Sequence, residues 1–171
     1  MLEAEKNHYP ALAFVQALEV RPIVSVAALK GQDEALAQRL GVALPRAPRR
    51  VEAGGMSYLW SGPGMWLAIG PAAPELAART AGMAAVTEQS DGLSLFKVHG
   101  PCARAILAKL VPVDVHESAF AADAVALSIA AHIGIRLWRE EDGFVLGCLR
   151  GFAGALHHAL SEAAAEFAAA G

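Results

Sequence analysis

Ser90-Asp91-Gly92-Leu93-Ser94-Leu95-Phe96-Lys97-Val98-His99-Gly100-Pro101-Cys102-Ala103-Arg104-Ala105-Ile106-Leu107-Ala108-Lys109-Leu110 is the most locally determined stretch of the chain. Ser-Asp-Gly is turn chemistry. From Leu93 onward Leu93, Leu95 and Lys97/His99 alternate with Ser94, Phe96 and Val98, a period near two that predicts a strand covered on both faces. Gly100-Pro101 stops it. Proline sacrifices no hydrogen bond in a first helical turn, and Ile106, Leu107 and Leu110 recur at helical spacing, so a helix is expected from Pro101 to about Val111, before Pro112.

Working outward toward the C-terminus, 124–130 and 133–139 read as strands. Residues 144–149 pair with the latter across Glu140-Glu141-Asp142-Gly143, whose Asp-Gly is a hairpin signal. An alanine-rich helix follows over 151–169, with Phe152, Leu156, Leu160, Ala163/Ala164 and Phe167 along one face. Toward the N-terminus, 84–88 is a strand and 74–83 a helix. Strands 57–60 and 65–69 flank Ser61-Gly62-Pro63-Gly64 as a hairpin. The β-branched run 23–29 is the first strand, and Gly31-Gln32-Asp33 opens a helix through Leu36 and Leu40 that Gly41 ends. Pro10 and the spacing of Ala11, Leu12, Phe14, Val15 and Leu18 suggest an arm or short helix laid on a surface.

The fold class expected is therefore α+β, with an N-terminal arm (1–21) and one globular unit (22–171). That unit comprises two packed halves, 22–89 and 90–171, of β-α-β-β-α-β-like order and mainly antiparallel sheets. The halves share an order of elements without a residue-level repeat.

A hydrophobic content of 55% and a mean hydropathy of +0.38 are high for a soluble domain, yet aromatics are only 6%. Alanine supplies much of the excess. Helix packing absorbs part of it, and a large contact with another subunit would absorb the rest, since obligate interfaces resemble a domain core cut in half. The net charge of -3 leaves no electrostatic footprint for nucleic acid. Met1-Leu2-Glu3-Ala4-Glu5-Lys6 lacks the basic start and apolar run of a secretory signal, so the expected compartment is the cytoplasm. Segment 119–135 contains Asp123, His132 and Gly134 and is short for a bilayer, which favours two strands and no membrane association.

No catalytic, cofactor-binding or metal-binding residues are assigned from sequence. Of six histidines, His8, His99, His116, His132, His157 and His158, none forms an i,i+4 pair, and His157/His158 diverge by about 100° on a helix. Cys102, near a helix start, is either a thiol with a lowered pKa or a small packing residue; with Cys148 it makes no Cys-x-x-Cys pair or disulfide framework. Dinucleotide, P-loop and G-x-S-x-G patterns are absent. Asp91 is expected to bond its own turn backbone and Asp114 to cap the segment after Pro112. Trp60, Trp66 and Trp138 fall in strands, as core residues or as rings at a subunit contact. Pro45-Arg46-Ala47-Pro48-Arg49-Arg50 is either a solvated connector or a docking patch for an acidic partner.

Five segments together carry a resemblance: Gly62-Pro63-Gly64-Met65-Trp66-Leu67, Gln89-Ser90-Asp91-Gly92, Gly100-Pro101-Cys102-Ala103-Arg104, Pro112-Val113-Asp114-Val115-His116 and Ala131-His132-Ile133-Gly134-Ile135-Arg136-Leu137-Trp138-Arg139. From about Pro22 onward the chain resembles the gamma subunit of bacterial heterotetrameric sarcosine oxidase, a fold relative of the folate-binding glycine-cleavage T-proteins. The resemblance implies a non-catalytic accessory subunit without its own cofactor. Its partners would be alpha, beta and delta subunits of a complex that uses FAD, FMN, NAD and tetrahydrofolate. That complex would demethylate sarcosine to glycine, with hydrogen peroxide and 5,10-methylenetetrahydrofolate. The chain departs from the family pattern at Glu88-Gln89 and at Leu156-His157-His158-Ala159-Leu160. Those departures leave open a gamma-type subunit of a related N-methyl amino acid dehydrogenase. The fold relationship likewise leaves open a free-standing tetrahydrofolate-binding or aminomethyltransferase-like protein.

Overall fold

The computed structural model describes Tyr9, residues 12–19 and residues 21–168. The elements run β1 (Val15–Ala17), β2 (Ile23–Ala28), α1 (Asp33–Leu40), β3 (Arg50–Ala53), β4 (Met56–Gly62), β5 (Met65–Ile69), α2 (Leu76–Arg79), β6 (Ala84–Glu88), β7 (Leu93–His99), α3 (Ala103–Ala108), β8 (Val125–Ala130), β9 (Ile133–Glu140), β10 (Gly143–Leu149) and α4 (Ala153–Ala168). Short 3-10 turns, Ala73–Glu75 and Arg150–Phe152, lead into α2 and α4.

The strands form two five-stranded sheets, β3-β4-β5-β2-β6 and β1-β7-β10-β9-β8. Every neighbouring pair is antiparallel. Alternation along β7 explains how they stack. Leu93 and Leu95 join Ile23, Leu59, Leu67, Ile69, Val125, Trp138 and Val145 in a core between the sheets. Phe96 and Val98 point the other way, into a core with Ile106 and Leu107 of α3 and Leu156 and Leu160 of α4. The first sheet covers its outer face with Leu36 of α1 and Leu76 of α2. The order of layers is helix, sheet, sheet, helix, the α+β class read from the sequence.

Apolar burial holds these layers together. Leu36, Leu76, Leu156 and Leu160 are fully buried, and each contributes roughly 1.5–3 kcal/mol. Exposed ion pairs such as Arg46–Glu34, 3.5 Å apart, are worth about 1 kcal/mol at most. Two glycines are dictated by geometry. Gly41 ends α1 in the left-handed region at φ 70°, its N–H returning to the Gln38 carbonyl. At Gly143 a Cβ would lie 2.3 Å from the Val98 carbonyl oxygen, so the β9–β10 hairpin needs glycine there.

Four expectations are corrected. The 10–18 segment is not helical where described: Val15–Ala17 is a strand on β7, with Val15 opposite Val98. Two-period burial of Val15 in the sheet outweighs its fit to a helical face; His8, Pro10 and Ala11 lie outside the described residues. Arg50, read as the end of the basic loop, opens β3, and residues 51–53, assigned no element from sequence, complete it. The helix expected over 74–83 stops at Arg79: Thr80 leaves the helical region at φ -113°, its hydroxyl donates to the Leu76 carbonyl, and Gly82 turns at φ 77° into β6. Phe152 is 52% exposed, so the buried stripe of α4 begins at Ala153.

The β8–β9 connection is a two-residue turn, Ala131-His132, with φ of 47° and 68°. Two-residue hairpins of this kind need positive φ at both positions, which costs a non-glycine residue about 1–2 kcal/mol.

Candidate subunit-contact surface

The residues singled out by their chemistry are dispersed. His116 Nδ1 lies 2.8 Å from Ser118 Oγ at the surface, while His158 faces Glu162 at 3.5 Å one turn along α4. His157 stacks 4.8 Å from Tyr9 and 5.8 Å from Phe96. His132 occupies the strained turn. Among the described residues no His/Cys/Asp/Glu cluster has the makings of a metal site.

Cys102 is half-buried at the residue before α3, whereas Cys148 is buried in the outer core of the second sheet. Burial pushes the Cys148 thiol up to about 11, so it is protonated and unreactive at neutral pH. Asp114 caps as expected, accepting the His116 N–H at 2.9 Å. Asp91 does not bond its own turn; it faces Arg150 at 3.7 Å. The work falls to Glu88 and Ser90, which the sequence reading passed over. Glu88 accepts the N–H groups of Gln89 and Ser90 and the Ser90 hydroxyl, which holds its carboxyl below the ordinary range. Ser90 Oγ also accepts the Ile23 N–H at 2.8 Å, stapling β2 to the crossing between sheets.

The basic loop is a structural tie. Trp66, 3% exposed, donates its indole N–H to the Pro45 carbonyl at 2.8 Å. Arg46 faces Glu34, Arg49 faces Asp123 at 3.4 Å and Arg50 pairs with Glu52. Backbone bonds from Val125 to Pro48 and from Arg50 to Asp123 join this segment to the start of β8. Each of its three arginines faces a carboxylate of the same chain.

The described surface carries open depressions. One, of about 880 Å³, lies between α1, the Pro45 loop and Trp60. Another, of about 700 Å³, lies at one end of the inter-sheet face, where Lys97 pairs with Glu140 at 3.7 Å and with Asp142, and Arg21 reaches Glu140 at 3.1 Å. Lys97 holds the Asp142 carboxyl below its usual value. These charges neutralise one another. At the other end of the same face the surface turns apolar: Leu127, Ile129 and Leu149 are 44–56% exposed. Neither the depressions nor the scattered histidines assemble a nucleophile, base and oxyanion donor. What the described residues offer beyond a folded core is apolar strand surface, as on a domain that packs against another chain.

The molecule is thus a double-sheet α+β domain that leaves apolar strand surface exposed. The sarcosine oxidase, gamma subunit family model matches residues 26–166. The gamma subunit of sarcosine oxidase from Corynebacterium sp. (strain P-1) is 31% identical over 166 residues, covering 92% of this chain and 79% of that one. An Arthrobacter sarcosine oxidase subunit gamma is 34% identical over 144 residues, covering 79% and 69% respectively. Among solved structures, a chain of the heterotetrameric sarcosine oxidase from Corynebacterium sp. U-96, in complex with pyrrole 2-carboxylate, superimposes with a TM-score of 0.80. It is 26% identical, and the match covers 90% of this chain and 84% of that chain. This chain belongs to the sarcosine oxidase gamma subunit family.

Proposed function

We propose that the chain is the accessory gamma subunit of a heterotetrameric sarcosine oxidase, docked against alpha, beta and delta subunits that hold FAD, FMN, NAD and tetrahydrofolate. The complex oxidatively demethylates sarcosine to glycine, yielding hydrogen peroxide and 5,10-methylenetetrahydrofolate. The observation that carries this reading is the match across almost the whole chain to a chain of the Corynebacterium complex, at a TM-score of 0.80. Two features of the chain support a packing role over a chemical one. Its charged depression is lined by Arg21, Lys97, Glu140 and Asp142, which pair with one another, and Leu127, Ile129, Leu149 and Phe152 are large apolar side chains left 44–56% exposed. A gamma subunit of this kind would act by burying apolar surface of its neighbours and fixing their relative placement.

The test is co-expression of the tagged chain with the flavoprotein subunits of the same organism. Stoichiometric co-purification with flavin absorbance and sarcosine-dependent peroxide formation is expected. Purification alone, with saturable tetrahydrofolate binding by calorimetry, would make it a free-standing folate protein. A co-purified complex that oxidises a different N-methyl amino acid would keep the subunit role and change the substrate.

A further inference from the structure

The inner face of the second sheet can be read as rows across its strands. In the first row, Val125 lies opposite Trp138, and Trp138 opposite Val145. All three are at most 4% exposed, because the first sheet covers them. In the next row Leu127 lies opposite Arg136, and Arg136 opposite Gly147. Leu127 is 47% exposed, and Arg136 is half-buried. One row further, Ile129 lies opposite Gly134, and both are exposed. Leu149, on the same face of β10, is 56% exposed. The apolar face therefore continues past the edge of the first sheet and emerges uncovered.

Arg136 sits in the middle of that emerging strip. Its Nε is buried without a hydrogen-bond partner. Loss of water lowers its pKa, and no carboxylate among the described residues offsets that loss. Every other part-buried cation named at the inter-sheet face is matched: Lys97 by Glu140 and Asp142, Arg21 by Glu140. A guanidinium that is partly desolvated yet unpaired carries a cost, and that cost is offset when a carboxylate arrives with its own apolar surroundings. Gly134 leaves open space beside it, with nothing within 4 Å of where a Cβ would lie.

We propose that the strip formed by Leu127, Ile129, Arg136 and Leu149 seats an apolar segment of another subunit of the complex, and that this segment carries a glutamate or aspartate that pairs with Arg136. The proposal rests on the subunit reading above and adds to it the surface used and the chemistry of what is seated there. Arg136 is the anchor because a guanidinium offers a carboxylate two parallel hydrogen bonds, and the leucine and isoleucine side chains keep water from competing for them.

The experiment reconstitutes the full-length chain with flavoprotein subunits prepared without it and measures Kd for wild type, R136Q, R136E, R136K and L127E. An A155E variant on the exposed side of α4 serves as the control. Circular dichroism and melting of each free chain verify the fold, and the exposed position of Leu127 keeps L127E informative even where an Arg136 variant folds poorly. R136E and R136Q are expected to weaken assembly by roughly 30-fold or more. L127E should behave likewise, R136K should bind more tightly than R136Q, and A155E should match wild type. Wild-type assembly with R136E and L127E unaffected overturns this inference and leaves the subunit role standing. Failure of wild type to assemble overturns both. A free chain that dimerises through this strip, with dimerisation lost in R136E, also overturns it, since the occupant is then a second copy.

Discussion

The two ends of the inter-sheet face are built from the same strands and end in opposite ways. At one end Lys97 of β7 and Glu140 of β9 meet Arg21 and Asp142, so each charge finds its counter-charge within the chain. At the other, Arg136 of the same β9 has no such partner among the described residues, and Leu127 and Ile129 of β8 face solvent. Folding alone completes the first end. The second is left as an isolated chain would not be expected to leave it, because exposed aliphatic rows and a partly desolvated, unpaired guanidinium both raise free energy. The difference separates the part of the surface that serves stability from the part that serves assembly.

The largest predicted contrast lies along a single face. Trp138→Ala empties a fully buried position between the sheets and should cost about 3–5 kcal/mol in urea unfolding of the isolated chain. Leu127→Ala, one row away and 47% exposed, should cost less than about 1 kcal/mol. Equal losses would mean the second row is as covered as the first. Next in size is a comparison of the two cations. Lys97→Met breaks a matched network and should destabilise by about 1–2 kcal/mol, whereas Arg136→Met removes an uncompensated charge and should leave stability unchanged or raised. A destabilised Arg136→Met would break the comparison.

The strained turn beside the open end gives a smaller effect of opposite sign. Replacing Ala131-His132 with Asn-Gly relieves two positive-φ positions and should raise stability by about 1 kcal/mol, read as an upward shift in Tm. The smallest effect concerns the crossing between sheets. Ser90 and the following N–H groups hold the Glu88 carboxyl below its unfolded value, so its contribution is present above the unfolded pKa and lost as pH falls through the folded one. Glu88→Gln should therefore be less stable than wild type at neutral pH and converge with it in acid, measured by melting at stepwise lower pH. Curves that stay parallel down to strongly acid pH would count against that role.

Much of the second sheet could be read directly from the sequence. Alternation in β7, the Asp-Gly of the β9–β10 hairpin and the stripe of α4 are local signals, and apart from exposed Phe152 the residues that carry them point where their period says. The first strand escaped because Leu12, Val15 and Leu18 fit a helical period too, and only pairing with Val98 from the far half of the chain decides between the two. β3 escaped because its polar–apolar alternation spans only four residues, Arg50–Ala53, directly after a proline-rich basic loop, and it gains its place by pairing with β4. Arg136 escaped for a different reason. In sequence it is one arginine within an alternating strand, and its isolation emerges only when the other charges have been placed around it. The gamma subunit family, by contrast, was legible, because its five short segments are spread over most of the chain and agree with one another.

Hydrogen exchange on the chain, free and in its complex, puts the two ends to one test. The account predicts that peptides covering 125–137 become strongly protected on assembly, while those around Lys97 and Glu140–Asp142 change little. Unchanged exchange across 125–137 in a complex that has demonstrably formed would contradict it.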